Sequence, residues 1–308
     1  MAEILVVVNP ASAGGATGRR WPAVAEKLRA EGLNFEVALT EAPGEATDIA
    51  RAAIQASRPL VVAAGGDGTI SEVANGFFDG PALLPTRTRL GVLPLGTGGD
   101  FRKTFGITGD AVEAGKTLLR GRPRRIDAGR VSYRGAGGGI EIRYFVNIAD
   151  AGIPGHVVER VNRSKKRLGG TATFMLASLA ALLSFSNSPM RVSVDGQPRE
   201  LIAQQVVVAN GQYYGSGMRI APQAQPDDGV FEVILVGDVG KVETLRGLAK
   251  VRSGTHLEAK NPKWEVLPGR SVQVDSPLPV LIDVDGEQPG TLPAHFEVIP
   301  GAIELMVP

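Results

Sequence analysis

The chain contains no cysteine and carries almost no net charge. Without cysteine it can form no disulfide, no thiolate nucleophile and no cysteine-based zinc site. A formal charge of +1 over 308 residues argues against a nucleic-acid-binding protein, because such proteins normally carry a clear basic excess. Hydrophobic residues make up 43% and charged residues 21%, which is typical of a globular protein. We therefore expect a globular chain, long enough for two domains, that binds no nucleic acid.

Long apolar runs are also absent. The longest, Thr171–Phe185, has about 15 residues, whereas a helix that crosses a bilayer needs roughly 20. The apolar run Ile4–Val8 follows no basic residue and indicates a buried first strand rather than a signal peptide. These features predict a soluble, cytoplasmic protein with no membrane-spanning segment.

Residues 1–125 alternate apolar strands with segments of helical periodicity. The strands are apolar on both faces, which is typical of a parallel sheet covered by helices on both sides. We therefore predict an α/β domain over residues 1–125, with strands at Ile4–Val8, Phe35–Leu39, Leu60–Ala64 and Leu90–Leu93.

From about residue 126 the pattern changes to many short strands. Two of them flank the glycine-rich segment Gly135–Gly139, which indicates a hairpin turn. Further strands separated by Gly, Pro and Asp favour an antiparallel β-sandwich. Two inserted helices are predicted, Thr171–Phe185 and Val242–Val251, within a second domain over residues 126–308.

The sharpest motif is Gly65-Gly66-Asp67-Gly68-Thr69, which directly follows a predicted strand and precedes a helix. Glycines let the backbone approach a ligand closely, and free amides at a helix start favour an anion such as phosphate. The carboxylate of Asp67 would repel a phosphate unless a cation lay between them, so it suggests Mg²⁺ bound to a nucleotide. An ordinary glycine-rich turn is the alternative.

Two further loops follow other strands of the same domain. Gly96-Thr97-Gly98-Gly99-Asp100 follows the strand Leu90–Leu93, and Asn9–Gly15 follows the first strand. Open α/β sheets bind ligands at the carboxyl ends of their strands. The three loops together therefore favour a phosphate or nucleotide site, although the second loop alone could be a helix cap.

In this order along almost the whole chain, the motifs resemble those of the diacylglycerol kinase catalytic domain, a family that includes sphingosine and ceramide kinases. The resemblance rests on Asn9-Pro10, Gly65–Thr69 with Glu72 and Asn75, Gly96–Phe101, Ile126-Asp127, Asn147, Asn210 with Gly215 and Gly217, Ala221-Pro222, Asp227–Gly229 and Asp285–Glu287. It implies an N-terminal nucleotide-binding α/β domain, a C-terminal β-sandwich and an active site in the cleft between them. Gly99 departs from the pattern, since the family usually has Asn there. Ile153–His156 is also unusual after Gly152.

The resemblance also implies roles for individual residues. It places Asp67 and Asp127 near a catalytic Mg²⁺, and Asp285 and Glu287 as suppliers of the general base. A structural metal is implied at the Asp228 carboxylate and the carbonyls of Gln225 and Val230. The residues assigned to ATP binding are Asn9, Ser12, Thr40, Gly65, Gly66, Asp67, Gly68, Thr69, Ile70, Ser71, Glu72, Gly96, Thr97 and Gly98.

The carboxylates of Asp285 and Glu287 have two geometric interpretations. In an extended segment, residues two apart point to the same side, whereas in a turn both could surround one site. Asp-Gly is also a common hairpin turn without any catalytic role. Asp227-Asp228-Gly229 could likewise be a turn with no metal-binding role.

The apolar segment Thr171–Phe185 is either a buried helix or the lining of a lipid site. The basic residues before it would face anionic headgroups in the second case: Arg163, Lys165, Lys166 and Arg167. We thus expect an ATP- and Mg²⁺-dependent kinase for diacylglycerol or a similar lipid alcohol, with reversible, peripheral membrane contact. An NAD kinase-like enzyme and an inactive nucleotide-binding regulator are the alternatives. The sequence is also compatible with a homodimer.

Overall fold

The computed structural model describes residues 3–163, 180, 184–258 and 261–308. They divide into two compact units, Met1–Ile126 with Gly301–Pro308, and Asp127–Pro300. Most of the predicted helix Thr171–Phe185, and the basic residues Lys165, Lys166 and Arg167, lie outside the described residues.

The first unit follows the predicted alternation of strands and helices. Its elements are β1 (Ile4–Val8), a 3-10 helix (Ser12–Gly15), α1 (Ala16–Ala30), β2 (Phe35–Leu39), α2 (Glu45–Gln55), β3 (Leu60–Gly65), α3 (Asp67–Asn75), β4 (Phe78–Asp79), β5 (Ala82–Leu83), β6 (Arg89–Pro94), α4 (Asp100–Thr104) and α5 (Ala111–Arg120).

These strands form a parallel sheet in the order β2-β1-β3-β6. Ile4 pairs with both Phe35 and Leu60, and Leu60 pairs with Arg89. Helix α2 packs on α3, and α1 packs on α5, which in turn lies on β6. The central strand β3 is buried along its whole length, as expected for a strand covered on both faces. The predicted α/β fold is confirmed.

The second unit is built from antiparallel strands. Its elements are β7 (Arg122–Gly135), β8 (Ile140–Phe145), β9 (Ile148–Gly152), α6 (Ile153–Arg163), β10 (Ser188–Val194), β11 (Gln197–Ala203), β12 (Gln205–Ala209), β13 (Phe231–Val236), α7 (Lys241–Ser253), β14 (Trp264–Gly269), β15 (Ser271–Asp275), β16 (Ile282–Val284) and β17 (Gly290–Val307). The predicted hairpin is present, with β7 and β8 joined at the glycine-rich turn.

The core of this unit lies between two layers of strands. One layer is the sheet β14-β13-β12-β9-β16, and the other contains β11-β10-β15-β17 with β7 and β8. Phe145, Phe231 and Phe296 are fully buried between them, and the rings of Phe145 and Phe231 stack at 5.5 Å. Burial of each such ring stabilises the fold by about 2 to 3 kcal/mol. A second apolar cluster includes Val207 of β12 and Val251 of α7.

The last strand corrects the expected extent of the second domain. We predicted residues 126–308 as one domain, but Gly301–Pro308 belong to the first unit. The reason is a parallel pairing of β17 with β6, in which Glu304 lies opposite Arg89 and Leu305 opposite Leu90. The apolar pattern of this strand gives no information about its partner.

None of the helices in the described residues is both long and apolar enough to cross a membrane.

Candidate active site

The three predicted loops meet at the carboxyl ends of β1, β3 and β6. A Cβ atom on Gly96 would lie only 2.3 Å from the Cα atom of Gly66, and one on Gly66 would lie 3.4 Å from the Ser12 Oγ atom. The amides of Leu95 and Gly96 both donate to the Gly65 carbonyl at 2.9 Å. A side chain at Gly96 would push the loops after β3 and β6 apart, so glycine at this position permits their close approach. The structure thus joins the loops into one site.

Asn9 shapes the loop after β1. Its Oδ1 atom accepts hydrogen bonds from the amides of Ala11 (3.0 Å) and Ser12 (3.1 Å), and its own amide donates to Ala64 of β3. The following residues Ala13 and Gly14 have left-handed backbones, with φ of +53° and +64°. Asn9 therefore folds the loop and ties it to the neighbouring strand, while Ser12 is the side chain that lies beside Gly66.

The Gly65–Ser71 segment is only partly accessible. Gly66, Asp67 and Gly68 are partly exposed, whereas Thr69, Ile70 and Ser71 are buried within α3. The hydroxyl of Ser71 has no hydrogen-bond partner in the described part of the chain. The accessible part of this predicted nucleotide segment is therefore the loop itself and the first turn of α3.

Asp67 caps the helix that follows the second loop, a contact that the sequence analysis missed. Its Oδ1 atom accepts the Phe101 amide at 3.0 Å, and the amides of Asp100 and Gly99 also bond to the carboxylate. Burial raises the pKa of Asp67, the Asp100 carboxylate raises it further, and the three amides oppose both effects. The carboxylate thus links the loop after β3 to the start of α4, while its other oxygen faces Gly98.

Three other predicted nucleotide residues have different surroundings. Glu72 accepts the Ala46 amide at its Oε2 atom (3.3 Å), so its side chain fixes the start of α2. Thr40 is buried at the end of β2, and its amide donates to Val8. Thr97 is exposed in the second loop. Thr97 therefore lies in the loop cluster, whereas the Glu72 side chain bonds to α2.

The second loop continues into two basic residues that the sequence analysis did not select. Lys103 donates to the buried Asp100 carboxylate at 2.8 Å, and Arg102 donates to the Ile107 carbonyl at 3.1 Å. The i,i+3 spacing of Asp100 and Lys103 on α4 was the available signal. Gly99 has a left-handed φ of +64°, a conformation that Asn also adopts readily, so the departure from the family pattern keeps the backbone shape.

In the second unit, Asp285 and Glu287 lie in a tight turn. The Val284 amide donates to the Glu287 carbonyl at 2.8 Å, and Asp285 and Gly286 have φ of +50° and +86°. Two successive left-handed residues are typical of the two-residue hairpin turn. Of the two predicted geometries, the structure has the turn and not the extended segment.

The two carboxylates of this turn differ in accessibility. Both oxygens of the buried Asp285 are occupied, because they accept the amides of Val146, Asn147 and Ile148 at 3.0–3.1 Å. The side chain of Glu287 is 40% exposed and pairs with Arg143. Asp285 therefore anchors the turn to the segment that leads into β9, and Glu287 is the more accessible proton acceptor.

Asp127 holds the turn that contains the predicted structural metal ligands. Its Oδ2 atom accepts the Gly229 amide at 2.7 Å, and its amide donates to the Pro226 carbonyl at 2.7 Å. In the same turn, the exposed Asp228 accepts the amide of Val230 at 3.1 Å. Among the described residues there is no group of three or more His, Cys, Asp or Glu that could hold a metal. A cation here would depend on one carboxylate and on the carbonyls of Gln225 and Val230.

A buried pair of carboxyl groups, Asp150 and Asp283, was also missed. They lie opposite each other on β9 and β16, with 1% and 7% of their surfaces exposed. Burial raises the pKa of Asp283 to about 7, and the charges of Asp285 and Glu287 add to this effect. Burial and then the Asp283 charge raise the pKa of Asp150 well above its usual value. The available signal was an acidic residue within each of two apolar strands.

Comparison with protein families matches both parts of the chain. The model of the diacylglycerol kinase catalytic domain matches residues 3–131, and that of the YegS C-terminal NAD kinase beta sandwich-like domain matches residues 147–307. Proteins named diacylglycerol kinase from Staphylococcus carnosus and Staphylococcus epidermidis are each 28% identical to it. Both alignments cover 98% of this chain, and 94% and 91% of those proteins.

Solved structures have the same fold. A diacylglycerol kinase structure from Bacillus anthracis str. Sterne superimposes with a TM-score of 0.70 at 20% identity, covering 99% of this chain and 96% of the other. Another structure from that organism gives a TM-score of 0.78 at 23% identity, with the same two coverages. These two structures show the fold alone. The matches to both domain models show that the chain belongs to the diacylglycerol kinase catalytic-domain family and carries the YegS-type C-terminal β-sandwich.

Proposed function

We propose that this protein is an ATP-dependent lipid kinase, which transfers the γ-phosphate of ATP to a hydroxyl group of diacylglycerol or a similar long-chain alcohol. The observation that carries the proposal is the meeting of three strand-end loops around Gly66 and Gly96, with the Asp67 carboxylate between two of them. The names of the relatives support the choice of a lipid acceptor.

The loops suit the phosphates of a nucleotide. Gly66 and Gly68 flank Asp67 at the start of α3, where backbone amides without helical partners favour an anion. The absence of side chains at Gly66 and Gly96 leaves the backbone open to close approach. We assign the nucleotide to this surface of the first unit, with Ser12 and Thr97 beside it.

Asp67 is the residue that would hold Mg²⁺. One of its oxygens bonds to the Phe101 amide. Burial and then the neighbouring Asp100 carboxylate raise the pKa of Asp67, and a cation beside the carboxylate would offset both effects. Mg²⁺ commonly takes one or two carboxylates together with phosphate oxygens and water, so a single aspartate fits its chemistry. When bound, the cation would neutralise charge on the transferring phosphoryl group.

Within the turn of the second unit, we assign the general base to Glu287. An alcohol attacks phosphorus more readily when a carboxylate takes its proton. Glu287 is accessible, and Arg143 holds its side chain in place. Asp285, with both oxygens occupied by amides, keeps the turn in position.

Two further assignments extend the proposal. Asp228, with the carbonyls of Gln225 and Val230, offers only oxygen ligands, which suit a hard cation of structural rather than catalytic function. Lys165, Lys166 and Arg167 would give weak, reversible contact with an anionic membrane, at about 1 kcal/mol for each residue near the surface.

A competition assay tests the function. The purified protein receives labelled ATP, Mg²⁺, diacylglycerol in mixed micelles and free NAD⁺, and the labelled product is identified. Label on the lipid is the expected result, and Glu287→Gln should reduce it strongly while ATP binding persists. Label on NAD⁺ alone would overturn the lipid assignment. ATP binding with no transfer to either acceptor, or to a total lipid extract, would instead indicate a nucleotide-binding regulator.

A further inference from the structure

Asp150 and Asp283 face the same side of the five-stranded sheet. Side chains along a strand alternate between faces, and the neighbours Ala149, Ala151 and Ile282 belong to the core between the two layers. The two carboxyl groups therefore point away from that core. Directly opposite residues of antiparallel strands have Cβ atoms about 5 Å apart, so the two groups are within reach of each other.

The bonding of the two groups is unequal. Asp283 accepts the Gly286 amide at its Oδ1 atom, at 2.7 Å. Both oxygens of Asp150 lack a hydrogen-bond partner in the described portion of the chain, although the residue is 1% exposed. Two ionised carboxylates at this separation and depth repel strongly, whereas one protonated carboxyl group donates to the other. An oxygen of Asp150 gains a hydrogen-bond partner when the pair shares a proton.

The Asp283–Gly286 bond connects this pair to the candidate catalytic turn. Gly286 is the second left-handed residue of the turn, between Asp285 and Glu287. The Asp285 carboxylate fixes one side of the turn, through the amides of residues 146–148, and Asp283 fixes the other through Gly286. If both buried carboxyl groups were charged, their repulsion would favour rotation of the two side chains, and rotation of Asp283 would break this bond.

We propose that Asp150 and Asp283 form a positioning pair, which holds the Asp285–Glu287 turn in its active geometry only while at least one of the two carboxyl groups keeps its proton. The proposal rests on the assignment of Glu287 as the proton acceptor. Neither Asp150 nor Asp283 contacts substrate in it; both act through Gly286.

Charged and titratable groups surround the pair on several elements. Arg143 of β8 lowers the pKa of Asp283, while Asp285 and Glu287 raise it. The Tyr214 phenol lies near Asp150, whose charge adds to burial in raising the pKa of that phenol, and Gln205 of β12 bonds to it. Helix α6, which packs on β9 and β16, carries His156, Glu159 and Arg160.

Asp283 ionises first, since its pKa is raised to about 7, and burial and then the Asp283 charge raise the pKa of Asp150 well above the usual value. The pair therefore loses its last proton at a pH above 7, where Asp150 ionises. The positioned state is therefore present at lower pH and lost on the alkaline side. The wild-type kcat should fall roughly tenfold for each pH unit above this point. Asp283→Asn should abolish that fall, because its amide oxygen still accepts from Gly286 and its NH₂ group donates to Asp150.

The test measures kcat and the hydrogen-exchange protection of the Gly286 amide between pH 5 and 10. Asp195→Asn is the matched control: Asp195 also anchors a turn of this unit through amides, those of Arg270 and Ser271, but lies outside the pair. Its profile should match the wild type. Asp283→Ala should lower kcat about tenfold or more at every pH, with the KM for ATP unchanged.

The proposal would be overturned if kcat of Asp283→Asn decreased at alkaline pH as it does in the wild type. It would also be overturned if the hydrogen-exchange protection of the wild-type Gly286 amide did not decrease as the pH rises. The exchange measurement needs no substrate. If no acceptor is phosphorylated at all, the function proposed above fails, while the behaviour of Gly286 still decides whether the pair holds the turn.

Discussion

Replacement of Gly96 by alanine tests the loop cluster directly. The new methyl group would lie 2.3 Å from the Cα atom and 2.9 Å from the amide nitrogen of Gly66. Unbonded carbon atoms approach to about 3.5 Å, so the two loops must separate by roughly 1 Å. Both contacts are with backbone, and no side-chain rotation can relieve them.

The expected loss of stability is about 1 to 3 kcal/mol, the usual range for an extra methyl group in a packed site. For a protein of this size it corresponds to a decrease in Tm of roughly 2–10 °C. The effect on turnover should be larger, because a displacement of about 1 Å in a positioning element can reduce the rate about a hundredfold. Gly96→Ala should therefore lose most ATP turnover while it remains folded.

The assay combines thermal unfolding, ATP binding and turnover for three variants. A methyl group on Gly66 would meet only ordinary contacts, at 3.4–3.5 Å, so Gly66→Ala should keep its Tm but bind ATP more weakly. Gly137 faces open space, and Gly137→Ala should match the wild type in both measurements. A wild-type Tm and wild-type ATP affinity in Gly96→Ala would refute the inference that close approach of the two loops forms the site.

Three further predictions concern single side chains. Asp67→Asn should keep its Tm, because the amide oxygen still caps α4, but lose roughly a thousandfold in kcat through the missing cation ligand; near wild-type turnover would contradict this. Asp228→Ala should abolish the increase in Tm that Mg²⁺ or Ca²⁺ gives the wild type, and an equal increase in both proteins would exclude a structural metal there. Burial lowers the pKa of His256, so the folded state holds fewer protons than the unfolded state, and stability should decrease as the pH falls below about 6.5. His256→Gln should remove this acid-dependent loss in urea titrations at pH 5 and 7.5, and an unchanged loss would be evidence against it.

Local sequence patterns were sufficient for the first unit's parallel sheet. Strands such as Leu60–Gly65 are apolar on both faces because both faces are buried, and this pattern can be recognised without knowing the neighbouring strands. The three loops were also predictable, because each follows a strand at the same edge of the sheet. The pairing of β17 with β6 was not, since the apolar pattern of residues 302–307 fits any neighbouring strand.

The sequence was enough to select candidate site residues, but it did not predict their contacts. Asp67 stood out by its glycine neighbours, yet its bond to Phe101 joins residues of different loops that only the fold brings together. Asp150 and Asp283 were not predicted, because each is a single acidic residue within an apolar strand. Their proximity depends on the register of β9 and β16. Sequence periodicity predicts which face a side chain occupies, but not which residue lies opposite it.

The pairing of β17 with β6 has a consequence for biosynthesis. A ribosome releases β6 long before β17, which completes the outer side of β6. Glu304 and Leu305 of β17 follow their partners Arg89 and Leu90 only much later in the chain. During that interval the nascent first unit exposes an unpaired strand edge, which is a template for association with other chains. Closure of so long a loop is also slow compared with local folding. The first unit should therefore complete its folding only after β17 has left the ribosome, and chaperone binding to nascent chains should persist until then.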